Sequence, residues 1–217
     1  MSRYARLEVN LVAFLGAVAT VLTGWLWGWW AIIPAAVTLA LLSFYRDPPR
    51  RVPAGSDLLI APADGTVMRI ERASSEADGA DALRIVIFLS VFNVHVNRAP
   101  CAGTVRDVVH HPGRFINALK NEATELNEHT RITLDPRPPL PGPVRLRQIA
   151  GALARRIVCT LRPGDRVAAG QRFGMIKLGS QAEVSVPDDP RWEVAVRPSQ
   201  RVRAGVTVLA RYRPADE

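Results

Sequence analysis

Cysteine is scarce. Cys101 and Cys159 are the only two in 217 residues, which excludes a disulfide framework and a cysteine metal site. Histidine is nearly as rare, and four residues with no Cys/His cluster argue against structural zinc. Neither a GxGxxG run nor a phosphate-binding loop occurs, so nucleotide chemistry has no support. Aromatics make up 6% of the chain, and four of the five tryptophans (Trp25, Trp27, Trp29, Trp30) crowd into six residues. Acidic residues are outnumbered, 20 against 28 basic ones, and the net charge of +8 is carried almost wholly by arginine. Such a balance favours an anionic partner, either nucleic acid or an acidic lipid surface. The arginines are scattered and the aromatics lie away from them, which disfavours nucleic acid. Length and a 48% hydrophobic content suffice for one full core, or for one domain with an appendage.

Charge is missing altogether from Leu11 to Tyr45. The run is too long for the apolar region of a signal peptide, and no cleavage-site pattern closes it. A single helix of that length would measure about 52 Å against the roughly 30 Å of a bilayer core. Two helices broken near Gly24–Gly28 would cover about 26 Å each, short for a span. Clustered tryptophans prefer the headgroup region, so Trp25 to Trp30 would sit at the far interface where the chain turns. Arg3 and Arg6 flank the start of the run, and Arg46, Arg50 and Arg51 its end. Positive charge at both ends puts both on the cytoplasmic side. Residues 1–45 are therefore expected to form a hydrophobic, membrane-associated helical hairpin that spans the cell membrane or inserts from one face. A buried helical pair in a soluble core is the plainer alternative, but it has no need of four clustered tryptophans.

Beyond Phe44-Tyr45-Arg46-Asp47-Pro48-Pro49-Arg50, whose prolines end any helix, the texture of residues 46–217 is β. Ala61-Pro62-Ala63-Asp64-Gly65-Thr66-Val67 reads as a turn feeding a strand. Leu83 to Val96 reads as one long strand, continuously apolar from Ile85 through Leu89. It then alternates, with Asn93, His95 and Asn97 on a polar face opposite Phe92 and Val94. His110 to Asn127 carries the only helix-like stretch here, one turn or two. The segment from Pro136 to Pro143 is a proline-rich loop, and Leu146 to Leu161 returns to strand. One repeat is visible: Arg162-Pro-Gly-Asp-Arg166-Val-Ala-Ala-Gly170 recurs 35 residues later as Arg197-Pro-Ser-Gln-Arg201-Val-Arg-Ala-Gly205. Each copy is a turn, a short strand and a glycine-ended turn, which resembles the paired hairpins of the lipoyl/biotinyl-type flattened β-barrel. Neither copy has a lysine at a hairpin tip, so a swinging-arm carrier has little support. The expected fold is mainly β, a flattened barrel or sandwich with a few short helices behind the hairpin.

The chemistry centres on Gly179-Ser180. Apolar residues lead into Gly179, and Ala182, Val184 and Val186 then alternate with Glu183 and Ser185. Two strand-like runs meet at a step whose plainest reading is a turn or bulge. A serine hydroxyl beside the carbonyl of a preceding glycine can also attack it, because glycine adds no side chain to crowd the tetrahedral intermediate. The N-to-O shift gives an ester, β-elimination then cuts the chain, and the new amino terminus hydrolyses from dehydroalanine to a pyruvoyl group. Such a carbonyl forms a Schiff base with an amine and serves as an electron sink without a bound cofactor.

The segments Phe44–Pro48, Pro62–Gly65, Phe88–Ser90, His95-Val96-Asn97-Arg98-Ala99-Pro100, Asn127-Glu128 and Phe173–Pro187 occur in an order that resembles the short prokaryotic phosphatidylserine decarboxylases. The resemblance runs from about Tyr45 to Ala210, behind a hydrophobic amino terminus that the family shares. It implies self-cleavage between Gly179 and Ser180, giving a β chain (1–179) and an α chain (180–217) that stay together, with a higher oligomer left open. Ser180 would become the covalent pyruvoyl cofactor, and phosphatidylserine in an anionic leaflet the substrate. It further implies that Asp64 supports or orients a base for self-cleavage and that His95 acts as acid/base at the decarboxylated carbon, where a group titrating near neutrality suits proton return. Asp-Gly is equally a stock turn pair, and a lone strand histidine is often structural, so both plainer readings stand beside these. Longer family members carry a second histidine, assigned to a triad, where this chain has Arg98. Either His95 serves both steps or another residue such as His129 fills the gap. A membrane-anchored β-barrel adaptor without chemistry is the alternative function, but it leaves Gly179-Ser180 without a purpose.

Overall fold

The computed structural model describes residues 2–74, 81–120, 122–152, 156–177 and 179–214. The chain divides into two units, residues 1–49 and 50–217. In the first, helices α1 (Arg6–Trp27) and α2 (Ile32–Phe44) flank a tight turn over Gly28–Ala31. Gly16 of α1 lies against Thr38 of α2, an arrangement compatible with the expected hairpin. The break falls a few residues later than the glycine pattern suggests, so the two helices are unequal. The 22 residues of α1 measure about 33 Å, enough for a bilayer core, whereas the 13 of α2 measure only about 20 Å. By length and composition Arg6–Phe44 is apolar enough to cross a membrane. No residue of either helix is buried, contrary to a pair sheltered in a soluble core.

The second unit is built from strands. In chain order they are β1 (Leu58–Ile60), β2 (Gly65–Ser74), β3 (Asp81–Leu89), β4 (Val96–Arg98), β5 (Gly103–His111), β6 (His129–Pro136), β7 (Val144–Ile149), β8 (Ile157–Cys159), β9 (Arg166–Val167), β10 (Arg172–Ile176), β11 (Ser180–Pro187), β12 (Trp192–Val194), β13 (Arg201–Val202) and β14 (Val208–Tyr212). A single helical turn, α3 (Ala123–Leu126), interrupts them. Eight strands form one sheet in the order β13-β2-β3-β11-β7-β6-β5-β9, and two three-stranded sheets, β1-β14-β12 and β4-β10-β8, complete the unit. All recorded strand pairings are antiparallel. The core lies on the inner face of the large sheet, where Leu83, Ile85, Ile87 and Leu89 of β3 meet Ala182, Val184 and Val186 of β11. Each large side chain buried there contributes about 1.5–3 kcal/mol. Val86, between them on the outer face, is buried too, which is why β3 reads as a continuous apolar run.

The 35-residue repeat is structural. In both copies the first residue's N–H is accepted by a side chain three residues on, Arg162 by Asp165 and Arg197 by Gln200. Gly164 and Ser199, at matching places, have positive φ values of 90° and 68°. Their N–H groups go to Val105 O and Val67 O on equivalent strands β5 and β2. Those strands begin with a second repeat, Ala61-Pro-Ala-Asp-Gly-Thr-Val67 against Ala99-Pro-Cys-Ala-Gly-Thr-Val105, and each shifts register just after its valine. Ile60 N–H bonds Pro100 O and Arg98 N–H bonds Pro62 O, both at 2.9 Å, a reciprocal exchange between the two halves.

One strand differs from expectation. Leu83–Val96 is not continuous: β3 ends at Leu89, a turn follows, and β4 starts at Val96. The Asn93 carboxamide oxygen accepts both the N–H and the O–H of Ser90, and such side-chain bonds compete with the strand ladder. The alternation therefore fails: Val94 and His95 are both buried while Phe92 is exposed. Similarly, the strand expected from Leu146 to Leu161 is β7 and β8 with residues 153–155 outside the described ones.

Candidate active site

Ser180 opens β11 at the point where the chain leaves one sheet for the other. β10 belongs to the small sheet with β4 and β8, and β11 sits in the middle of the large one. Gly179 makes the crossing at φ 59°, a conformation that costs a side-chain-bearing residue roughly 1–2 kcal/mol. In register, Ser180 faces Leu89, and Gln181 faces Phe88 on one side and Ile149 on the other. Alternation puts Ser180 on the inner face with Ala182, Val184 and Val186. Its Oγ is buried and has no hydrogen-bond partner among the described residues. An unpaired buried hydroxyl costs about 1–3 kcal/mol, so the site holds a hydroxyl at the expense of stability. A Cβ built on Gly179 would meet nothing within 4 Å. Gly151, in contrast, lies directly against the Gly179 carbonyl: a Cβ there would fall 1.8 Å from Gly179 O. The carbonyl that Ser180 follows thus belongs to a residue without a side chain and is approached by a second one, Gly151.

A cleft of about 330 Å3 opens beside this step, lined by Phe88, Ser90, Val91, Asn117, Ala118, Ala152 and Gly179. Its outer wall is fixed by polar side chains to which the sequence motifs assign no role. Asn127 donates to Ile116 O (2.9 Å) and Ala150 O (2.7 Å) and accepts Ile116 N–H. Gln181 donates to Ala118 O (2.6 Å) and accepts the Thr124 hydroxyl (2.7 Å). Arg147 donates to Thr124 O (2.6 Å) and lies 3.7 Å from Glu183 and 3.5 Å from Glu125. These bonds clamp Ile116, Ala118 and Thr124 onto the outer face of β11 and β7. Asn127 belongs to the Asn127-Glu128 pair already quoted, and Gln181 is the residue next to Ser180, so each carried a positional clue.

His95 is buried immediately before β4. Its carbonyl accepts Ile176 N–H at 3.2 Å, four residues before Ser180. Two residues on, Asn97 Oδ1 accepts Gln148 Nε2–H at 2.9 Å, and Gln148 is the register partner of Ala182. His95 therefore stands at the Ser180 end of the interior. Asp64 lies further off, just before Gly65 in a strand separated from β11 by β3, roughly 10 Å at the usual strand spacing. Its carboxylate accepts Ala204 N–H (2.7 Å) and pairs with Arg50 (2.8 Å). At the matching place in the second half stands Ala102, so this turn forms without a carboxylate. The turn bearing Asp64 also supplies Pro62 O to Arg98 N–H and, at 3.5 Å, to the Asn97 carboxamide, which links it to the strand that follows His95.

Arg98, where the second histidine would be, is buried and donates to Gly170 O at 3.2 Å. His129 lies on the outer face in the row Gln181–Ile149–His129, two strands from β11. Its ring stacks on His111 at 4.7 Å, and its Nδ1 is 3.0 Å from Asn127 O. Side-chain alternation turns it away from the face that Ser180 occupies. His110 and His111 end β5, next to the His129 strand and away from the cleft.

A β unit with a buried serine beside a narrow, braced cleft has the frame of an enzyme. The sequence model of the phosphatidylserine decarboxylase family matches residues 37–210. A phosphatidylserine decarboxylase proenzyme of Rhodopirellula baltica is 42% identical over 207 residues, 94% of this chain and 85% of its own. Proenzymes of the same description from Cupriavidus metallidurans and Chlorobaculum tepidum are 40% and 43% identical, covering 84% and 79% of this chain and 83% and 77% of theirs. The chain belongs to the phosphatidylserine decarboxylase family.

Proposed function

We propose that this protein converts phosphatidylserine to phosphatidylethanolamine and carbon dioxide after cutting itself between Gly179 and Ser180. Ser180 carries the reading: a buried hydroxyl without a hydrogen-bond partner among the described residues, following a carbonyl against which Gly151 packs closely without a side chain. Ser180 Oγ bonds to the Gly179 carbonyl carbon as the amide C–N bond breaks, and the nitrogen takes up a proton. Loss of the Ser180 Cα proton then breaks the Cβ–O bond, leaving Gly179 as a carboxylate. Hydrolysis of the resulting enamine releases ammonia and leaves a pyruvoyl group at residue 180.

The residues fit that group. Position 180 is buried at the edge of a cleft, and Gly179, which becomes a chain end, is one of the residues lining it. A pyruvoyl carbonyl there supplies an acceptor for the substrate amine and for the electron pair left by departing carbon dioxide. His95 moves the proton at the decarboxylated carbon. Asp64 is a positioning residue, holding the turn that supports the His95 strand. The fragments 1–179 and 180–217 remain a heterodimer, since β11 is hydrogen-bonded to β3 and β7 and β14 to β1. The hairpin anchors the protein to the cell membrane with residues 46–217 on the cytoplasmic face. In a direct test, cleaved protein given phosphatidylserine vesicles forms phosphatidylethanolamine and equimolar carbon dioxide, and Ser180→Ala forms neither. Cleaved protein that leaves the lipid unchanged refutes the reading.

A further inference from the structure

Two large apolar side chains directly follow lining residues of the Ser180 cleft in the chain and are not part of its lining. Phe92 follows the lining residues Ser90 and Val91 and is 81% exposed; Leu119 follows Asn117 and Ala118 and is 60% exposed. They belong to two different segments that contribute to the lining, and each segment is fastened. Asn93 closes the first through its bonds to Ser90, while Gln181 and Asn127 hold the second through Ala118 and Ile116. Both side chains are thus exposed on braced segments. Cations accompany them: Lys120 beside Leu119, and Arg114 on the same segment, are both exposed. Glu122 and Glu125 are exposed acids on the same segment, and Glu125 is engaged by Arg84 and Arg147.

The cleft's size sets a second constraint. About 330 Å3 is near the lower limit of the roughly 300–1,000 Å3 that encloses a drug-sized ligand. It accepts a phosphoserine headgroup but not two acyl chains. A lipid engaged there keeps its chains in the bilayer, so the mouth must come down onto the interface. Aromatic and aliphatic tips beside basic residues suit that boundary. We propose that the rim carrying Phe92 and Leu119 is a docking surface for an anionic bilayer, inserted at headgroup level while the cleft takes the headgroup. This rests on the decarboxylase reading above.

The test compares two substrates of the full chain in phosphatidylglycerol-containing vesicles: long-chain phosphatidylserine in the same vesicles, and a short-chain phosphatidylserine below its aggregation concentration. Phe92→Ser with Leu119→Ser should lower kcat/KM on the vesicle substrate by about tenfold or more, the scale of one large apolar side chain withdrawn from an apolar phase. Turnover of the short-chain lipid and self-cleavage should stay unchanged. Equal rates on vesicles refute the docking surface, and so does a parallel loss on both substrates, which would mean that the pair shapes the cleft. Should the double variant fail to self-cleave, Leu119→Lys is read by the same two substrates and must show the same selective loss. A parent chain inactive on both substrates refutes the decarboxylase reading and this proposal with it, whereas an active parent without selective loss in the variants refutes the docking surface alone.

Discussion

Gly151→Ala isolates the contact on which the proposed self-cleavage geometry depends. The added Cβ would fall 1.8 Å from Gly179 O and 3.2 Å from Ala118 Cβ. Carbon and oxygen do not approach within 3.0 Å, so the Gly179 carbonyl or the Gly151 backbone must retreat by about 1 Å. A displacement of that size at a reacting centre costs roughly 10²-fold in rate. The same overpacking costs about 1–3 kcal/mol, less than the 5–15 kcal/mol typical of a folded domain, so the variant should fold and accumulate as precursor. The assay is a time course on a denaturing gel, paired with a melting curve. Gly179→Ala is the control of different origin, since its Cβ meets nothing within 4 Å but its φ is 59°. It should slow cleavage through backbone strain, without a clash. A Gly151→Ala chain that folds and cuts itself at the parental rate refutes the claim that this carbonyl must sit where the structure shows it.

His95→Ala should lower decarboxylation by about 10²–10⁴-fold, the usual contribution of a general acid or base; cleavage and turnover are to be measured separately, and normal values of both contradict its proposed role. Asp64→Asn keeps an acceptor for Ala204 N–H but loses the Arg50 ion pair, so it should lower the Tm by about 2–6 °C and slow cleavage. An unchanged Tm would mean that the pair does not hold the turn. Burial pushes the Cys101 thiol up to about 12, leaving about 10³-fold less thiolate at pH 8 than an ordinary cysteine. Iodoacetamide should therefore spare Cys101 in the folded protein and label it after denaturation; rapid native labelling contradicts the buried placement.

Strand β11 was legible because only one of its faces meets the core: Ala182, Val184 and Val186 alternate with Glu183 and Ser185, and the core takes the first set. The Arg162/Arg197 repeat was legible for the same reason, since it is a local pattern that packing preserves. The turn between β3 and β4 was hidden because Phe92, Val94 and Val96 mimic strand alternation, while the bonds from Asn93 to Ser90 that break the strand leave no period. Nothing local marks Gly151 either. Its importance comes from contact with a carbonyl 28 positions away in sequence, which tertiary packing alone creates. The seven-residue repeat beginning at Ala61 and Ala99 consists of residues common to any β-turn, and it sets Asp64, the proposed positioning residue, against Ala102.

The central claim is that the mature protein lacks the bond between Gly179 and Ser180. Intact-mass analysis of the purified full chain tests it directly. The account predicts a fragment of about 4 kDa, residues 180–217 of the 23.8 kDa chain, with a blocked amino terminus, and no such fragment from Ser180→Ala. A folded wild-type protein that persists as one 23.8 kDa chain contradicts it.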